Sequence, residues 1–188
     1  RGATVVYHIH EVSVRPGLLK KFLVAVANLT EKKGLFVSND VRKRTSFRRH
    51  AQILYNALPS EFTGKALEQN GKPAGVFTVL MICSLKAYKG VREYAGVASR
   101  LPQYRFMLVL NATEPAISDF FKGETLPANL EIFPAQADVH PFYMQADIVM
   151  NMSLPAQWVE TFGMTILEAM YYKKPAIIPC TGGITELV

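Results

Sequence analysis

Two glutamates, Glu160 and Glu168, stand eight positions apart near the end of a chain of 188 residues. Phe162 and Gly163 lie between them. Gly163 can open the helix that carries Glu168, which then sits more than one turn inside it. Glu160 falls in the loop before that helix. A helix start offers unpaired backbone N–H groups and the positive end of the helix dipole, which suits a phosphate. Both carboxylates can then face one crevice, one reaching each end of a long ligand. On spacing alone a plainer reading is the stronger: Glu160 stabilising a helix start and Glu168 a solvated helix residue.

The elements that must position these residues alternate. Segments 4–9, 35–37 and 51–55 read as strands. A helix over 18–29, with Leu19, Phe22, Leu23 and Val26 on one face, follows the first. A short basic helix, capped by Ser38 or Asn39, follows the second. Residues 56–65 contain Pro59 and Gly64 and read as a connector, and 69–75 as a turn or linker. The rhythm then restarts. Strands at 76–82, 106–110, 131–133, 148–150 and 176–178 alternate with helices at 89–100, 115–121, 139–145 and 163–172. A last helix is expected near Gly183. Alternation of this kind predicts an α/β fold with doubly wound parallel sheets covered on both faces. Such sheets bind ligands at the carboxyl ends of their strands, so the loops after Ile82, Leu110, Phe133 and Met150 are the places to look.

Composition narrows the class. Hydrophobic residues make up 49% and charged residues 19%, too apolar for a disordered segment. The longest nearly unbroken apolar run, 74–85, has 12 residues, against about 20 for a membrane-spanning helix. The cysteines, Cys83 and Cys180, lie in strand-like stretches and read as reduced core thiols of a cytosolic protein. The net charge is +6 but uneven: residues 1–58 carry 11 Lys/Arg and 3 Asp/Glu, while 59–188 carry 10 and 12. That break, near 60–72, predicts two structural units. The cluster Arg42, Lys43, Arg44, Arg48 and Arg49 lies in the first. It reads as a solvated face or as a surface for anionic lipid or a lipid-phosphate acceptor. No aromatic interleaving accompanies it, which argues against nucleic acid.

The surroundings of the glutamate pair decide between its two readings. Ser153, Glu160, Phe162–Gly163 and Glu168–Ala169–Met170 are followed by a Lys-Pro-hydrophobic strand from Lys174. Thr181–Gly182–Gly183–Ile184–Thr185–Glu186 comes next. This succession resembles the signature of the glycosyl transferases group 1, retaining glycosyltransferases of GT-B architecture. Upstream, LMICSLKAYKG at 80–90 resembles that family's first strand and diphosphate loop. Ser84 there stands where the family often has an arginine. The segment at 139–153 resembles its helix and strand leading to the serine loop. The family's glycine-rich loop after the second strand, and a glycine after the third, are replaced by residues 110–113 and 134–135. Before residue 60, VVYHIHE, LFVSND and ILYNALPSEF resemble the end of the family's N-terminal domain.

The resemblance implies an assignment of parts. Residues 1–58 would be the end of an acceptor-side domain, 59–75 a hinge and 76–188 a nucleotide-sugar-binding domain. Two such domains need about 300 residues, and the chain opens on Arg1, so a piece of a longer protein is expected. Lys89 and Ser84 would contact the donor diphosphate, helped by backbone N–H groups at Gly163, Met164 and Thr165. Glu168 would accept hydrogen bonds from the ribose and Glu160 would hold sugar hydroxyls. His10 would meet the sugar from the opposite domain, although alternation puts His8 on the same strand face. The implied reaction is retaining hexosyl transfer from a nucleotide-diphosphate sugar to a glycan or lipid-linked acceptor. No cofactor or metal is expected, and no Asp-x-Asp occurs. The implied location is cytoplasmic, free or at the inner face of the membrane. A catalytically silent nucleotide-sugar-binding module and a nucleotide-sugar epimerase of the same fold are the rivals.

Overall fold

The structure, a computed structural model, describes residues 5–10, 17–30, 33–45, 51–66 and 75–188. The chain folds into two compact units. The first comprises Arg1–Ala57, Val159–Gly163 and Cys180–Val188, and the second Leu58–Trp158 and Met164–Pro179.

In the first unit, β1 (Val6–Ile9), β2 (Lys33–Phe36) and β3 (Ala51–Ile53) form a parallel sheet in that order. Helix α1 (Gly17–Thr30) connects the first two strands and α2 (Asn39–Arg44) follows the second. Ser38 caps α2 as its residue type predicts, its Oγ accepting the Val41 N–H at 3.2 Å. Phe36, Val37 and Val41 are fully buried around this corner. A 3-10 turn at Gly183–Glu186 packs against it. A Cβ on Gly183 would stand 1.9 Å from the Thr161 carbonyl oxygen and 2.4 Å from Ser38 Oγ, so only glycine lets the turn come this close. The helix expected near Gly183 is thus a single 3-10 turn.

The second unit is a five-stranded sheet, all parallel, in the order β6-β5-β4-β7-β8. Its strands are β4 (Thr78–Ser84), β5 (Arg105–Asn111), β6 (Leu130–Phe133), β7 (Ile148–Met150) and β8 (Ala176–Ile177). Its helices are α3 (Ser60–Ala66), α4 (Val91–Arg100), α5 (Glu114–Phe120), α6 (His140–Gln145) and α7 (Met164–Tyr171). β4 and β5 read as continuous apolar runs because both sheet faces are covered. Leu80, Phe106, Met107, Leu108 and Leu110 are all fully buried, at about 1.5–3 kcal/mol for each large side chain. Tyr94 of α4 is equally buried, its hydroxyl shared between the carbonyls of Val79 and Met107, both at 3.0 Å. The start of β4 is tied to the start of β7: the Asp147 carboxylate accepts the Thr78 N–H at 2.6 Å and the Asp147 N–H returns to the Thr78 carbonyl at 2.8 Å.

Parallel sheets with alternating helices are therefore what the sequence pattern predicts. The differences are local. Residues 60–66 are helix α3 rather than connector. Pro59 sits just before the helix, where a proline is tolerated, and its carbonyl accepts the N–H groups of Phe62 and Thr63. The glycine at 64 costs about 1 kcal/mol. Phe62 offsets it by packing on His140, Tyr143, Tyr171 and Tyr172, with ring centroids 4.4 to 6.4 Å away. Helix α4 begins at Val91, not at Lys89. Cys83 is half-buried in β4, but Cys180 is exposed beyond β8; both are free thiols, so Cys180 is not a core residue.

Candidate functional site

In the second unit the chain leaves β4 toward β5 and β6, then crosses back to lay β7 on the other side of β4. The carboxyl ends of β4 and β7 therefore flank the point where strand order reverses, the usual ligand crevice of an open α/β sheet. Two loops meet there. Ser84 is the last residue of β4, half-buried and in register with Asn111. Lys86 donates its N–H back to the Ser84 carbonyl at 2.8 Å, and residues Ala87–Lys89 form a 3-10 turn. Gly90 follows with φ 74°, a left-handed conformation that costs other residues energy. A Cβ there would also lie 2.1 Å from the Met152 carbonyl oxygen.

The loop after β7 locks onto this turn. Ser153 is buried, its N–H donated to Asn151 Oδ1 at 3.0 Å. The Leu154 N–H reaches the Tyr88 carbonyl at 2.8 Å. Trp158 stacks on Tyr88 with ring centroids 5.0 Å apart, and Lys89 Nζ lies 5.6 Å from the indole centroid. Lys89 is thus a half-buried cation at the switch point.

Met164 and Thr165 open α7, where the first N–H groups have no partner inside the helix. Gly163 precedes them with φ 92°. Glu168 lies further along α7, half-buried, with the Tyr143 hydroxyl 2.5 Å from Oε2 and 3.1 Å from the Thr165 carbonyl. Burial pushes the Glu168 carboxyl above its ordinary range, against the pull of the Tyr143 hydrogen bond. Tyr143 is fully buried, and burial together with the Glu168 charge raises its hydroxyl far above the usual tyrosine value. Behind it Tyr172 stacks on Tyr143 at 5.4 Å and hydrogen-bonds His140 Nδ1.

The other candidates belong to the first unit. His10 lies just after β1, exposed, with its Nε2 3.2 Å from His8 Nδ1. Both histidines line a cavity of about 370 Å³ under α1, so the structure keeps them together, as alternation predicts. Burial, then the neighbouring His8, lowers the His10 pKa. Glu160 is half-buried in the 159–163 segment. Arg42, Lys43 and Arg44 are exposed on α2, Arg44 paired with Asp40 at 2.6 Å. Arg48 and Arg49 lie outside the described residues. The structure thus places Ser84 at the end of β4 and Lys89 on the turn that follows, and Met164, Thr165 and Glu168 on one helix. His10, Glu160 and Gly163 fall in the other unit. Sequence reading missed Tyr88, Tyr143 and Trp158. A signal existed for Trp158, the only tryptophan, two residues before Glu160. Among the described residues no cluster of His, Cys, Asp or Glu could hold a metal ion, and no helix is long and apolar enough to cross a membrane.

The sequence pattern of the family described as "Glycosyl transferases group 1" matches residues 63–188. The chain belongs to this family. Its fold is that of GT-B glycosyltransferases. HepE of Anabaena, solved with UDP and glucose, is 21% identical with a TM-score of 0.77 over 98% of this chain and 55% of its own. A glycosyltransferase of Rickettsia africae is 22% identical with a TM-score of 0.73 over 97% of this chain and 53% of its own. WaaG, a glycosyltransferase of lipopolysaccharide biosynthesis, is 15% identical with a TM-score of 0.68 over 97% of this chain and 58% of its own. The chain thus spans little more than half the length of these structures. No curated protein matches it. In the loops after β5 and β6, where family members often carry glycines, the Ala135 N–H is bonded to the Ala112 carbonyl at 2.9 Å.

Proposed function

We propose that the chain is part of a retaining glycosyltransferase that moves a hexosyl group from a nucleotide-diphosphate donor to a glycan or lipid-linked acceptor. The supporting observation is the half-buried Lys89 held at the β4–β7 switch point by two interlocked loops. In the transfer the bond from the anomeric carbon to the donor diphosphate breaks. A bond to an acceptor oxygen forms on the same face, and the acceptor hydroxyl's proton passes to an oxygen of the departing diphosphate. Negative charge gathers on the departing diphosphate. Lys89, the Ser84 hydroxyl and the N–H groups of Gly163, Met164 and Thr165 offset it, and fixed donors of this kind need no reorganisation as the charge develops. The reading requires no metal and no cofactor.

Glu168 accepts hydrogen bonds from the ribose hydroxyls, its second oxygen steadied by Tyr143. Glu160 holds sugar hydroxyls and His10 touches the sugar. A nucleotide sugar as donor is supported by the HepE structures with UDP and with UDP-glucose. Residues 1–58 serve the acceptor side, where Arg42, Lys43, Arg44, Arg48 and Arg49 draw in anionic lipid or a lipid-phosphate acceptor. That work takes place in the cytoplasm, at the inner membrane face when the acceptor is a lipid.

A catalytically silent nucleotide-sugar binder is the second reading, favoured by the serine at 84, which leaves the site one cation short. A panel of nucleotide sugars and acceptors assayed with the full-length protein separates the two. Transfer that is abolished in Glu160→Ala, with donor binding retained, supports the enzyme. Binding without turnover in wild type supports the silent module, and no binding at all sinks both.

A further inference from the structure

Trp158 closes the loop that follows β7. Its N–H bonds the Leu154 carbonyl at 2.9 Å, and the Leu154 N–H bonds the Tyr88 carbonyl at 2.8 Å. The indole is therefore hung on the very turn that carries Lys89. One ring neighbour is Tyr88, stacked at 5.0 Å with an interplanar angle of 22°. The Lys89 ammonium lies 5.6 Å from the ring centroid, within the roughly 6 Å reach of a cation–π contact. The indole Nε1–H is buried without a hydrogen-bond partner, the one such side-chain atom among the described residues. An unpaired buried donor opposes folding. A phenylalanine would remove that cost, although its smaller ring would leave part of the indole's volume empty. What indole offers over phenyl is a more negative ring face for a cation.

We propose that Trp158 is a positioning residue whose ring, braced by Tyr88, holds the Lys89 ammonium at the switch point for the diphosphate of a nucleotide ligand. The proposal rests on the role of Lys89 given above. Lysine carries a flexible four-carbon stem, and a restrained ammonium loses less freedom on binding. The indole thus trades stability for a pre-set charge.

The test is calorimetric titration of UDP, GDP and ADP into the full-length protein, followed by the tightest of the three on Trp158→Phe, Trp158→Leu, Lys89→Met and the Leu/Met double variant. Thermal midpoints are measured alongside. Affinity is expected to fall about 2- to 30-fold in Trp158→Leu, with Trp158→Phe at the lower end of that range. The midpoint of Trp158→Phe is expected to fall less than that of Trp158→Leu, because phenyl leaves the smaller void and removes the unpaired donor. In the Lys89→Met background, Trp158→Leu is expected to add nothing. Unchanged affinity in Trp158→Phe or Trp158→Leu, with Lys89→Met weakened, overturns the positioning role alone. The same loss from Trp158→Leu with and without Lys89 does so too, since the ring then acts by itself. A wild-type protein that binds none of the three overturns the donor-site reading, and this proposal with it.

Discussion

Glu168 enters the fold with one oxygen 2.5 Å from the Tyr143 hydroxyl. Burial raises its pKa and the tyrosine works against that rise. A carboxyl raised in the folded state takes up a proton more readily there than in the unfolded chain. Stability therefore falls as pH climbs from the ordinary glutamate value through the raised one. Tyr143→Phe removes the counterweight. Its cost is expected to be about 1–3 kcal/mol near neutral pH and to shrink below about pH 4, where the carboxyl is protonated in both states; urea midpoints at the two pH values check it. Glu186 has the opposite sign. Burial works to raise its pKa, but the N–H groups of Asn39 and Asp40 at 2.9 and 2.8 Å, the Tyr55 hydroxyl at 2.9 Å and the Asn39 amide at 3.0 Å outweigh burial and hold it below the ordinary range. Its contribution is present above the unfolded value and lost as pH falls through the lowered one. Glu186→Gln is thus expected to melt below wild type at neutral pH, with the difference closing on acidification. A difference that widens in acid contradicts this. Both glutamates were visible in the sequence as members of a motif. Their partners were not, because Tyr143 is 25 positions from Glu168 and Asn39 is 147 from Glu186.

At the scale of elements, the turn from Ala87 to Gly90 and the loop at 152–158 act as one piece. Gly90 makes this possible through its left-handed backbone and its contact with the Met152 carbonyl. Gly90→Ala is expected to cost at least about 1–3 kcal/mol from backbone strain. The displaced carbonyl should also loosen the loop that carries Trp158. Denaturant unfolding measures the first effect and nucleotide affinity the second; a variant unchanged in both contradicts the interlock. Strands β4 and β5 were legible because both faces are buried and their apolar runs are unbroken. The existence of α7 and its start after Gly163 were legible from the glycine and the spacing that follows. Helix α3 was not, because Pro59 and Gly64 are local breakers. What makes it a helix is Phe62 packing on aromatic residues more than 70 positions away, which no local pattern reveals.

Across the whole molecule, the charge break of the sequence lies near residue 60, next to a contact division between Ala57 and Leu58. It was blind to the return of Val159–Gly163 and Cys180–Val188 to the first unit. Those returns depend on tight backbone packing, as at Gly183 against Thr161, and carry no composition signal. They also separate Glu160 from Glu168 by unit, although eight positions divide them in the chain. The spacing that first drew attention therefore runs from the first unit into the second. On the proposed function, donor recognition would fall chiefly to Lys89 and Glu168 of the second unit. The most direct measurement is calorimetric titration of a panel of nucleotide sugars into the full-length protein and its Lys89→Ala and Glu168→Ala variants. The expected result is that one nucleotide sugar binds wild type and that each variant binds it about 10- to 100-fold more weakly, the size of a hydrogen bond to a charged group. Binding that survives both substitutions unchanged would contradict the site.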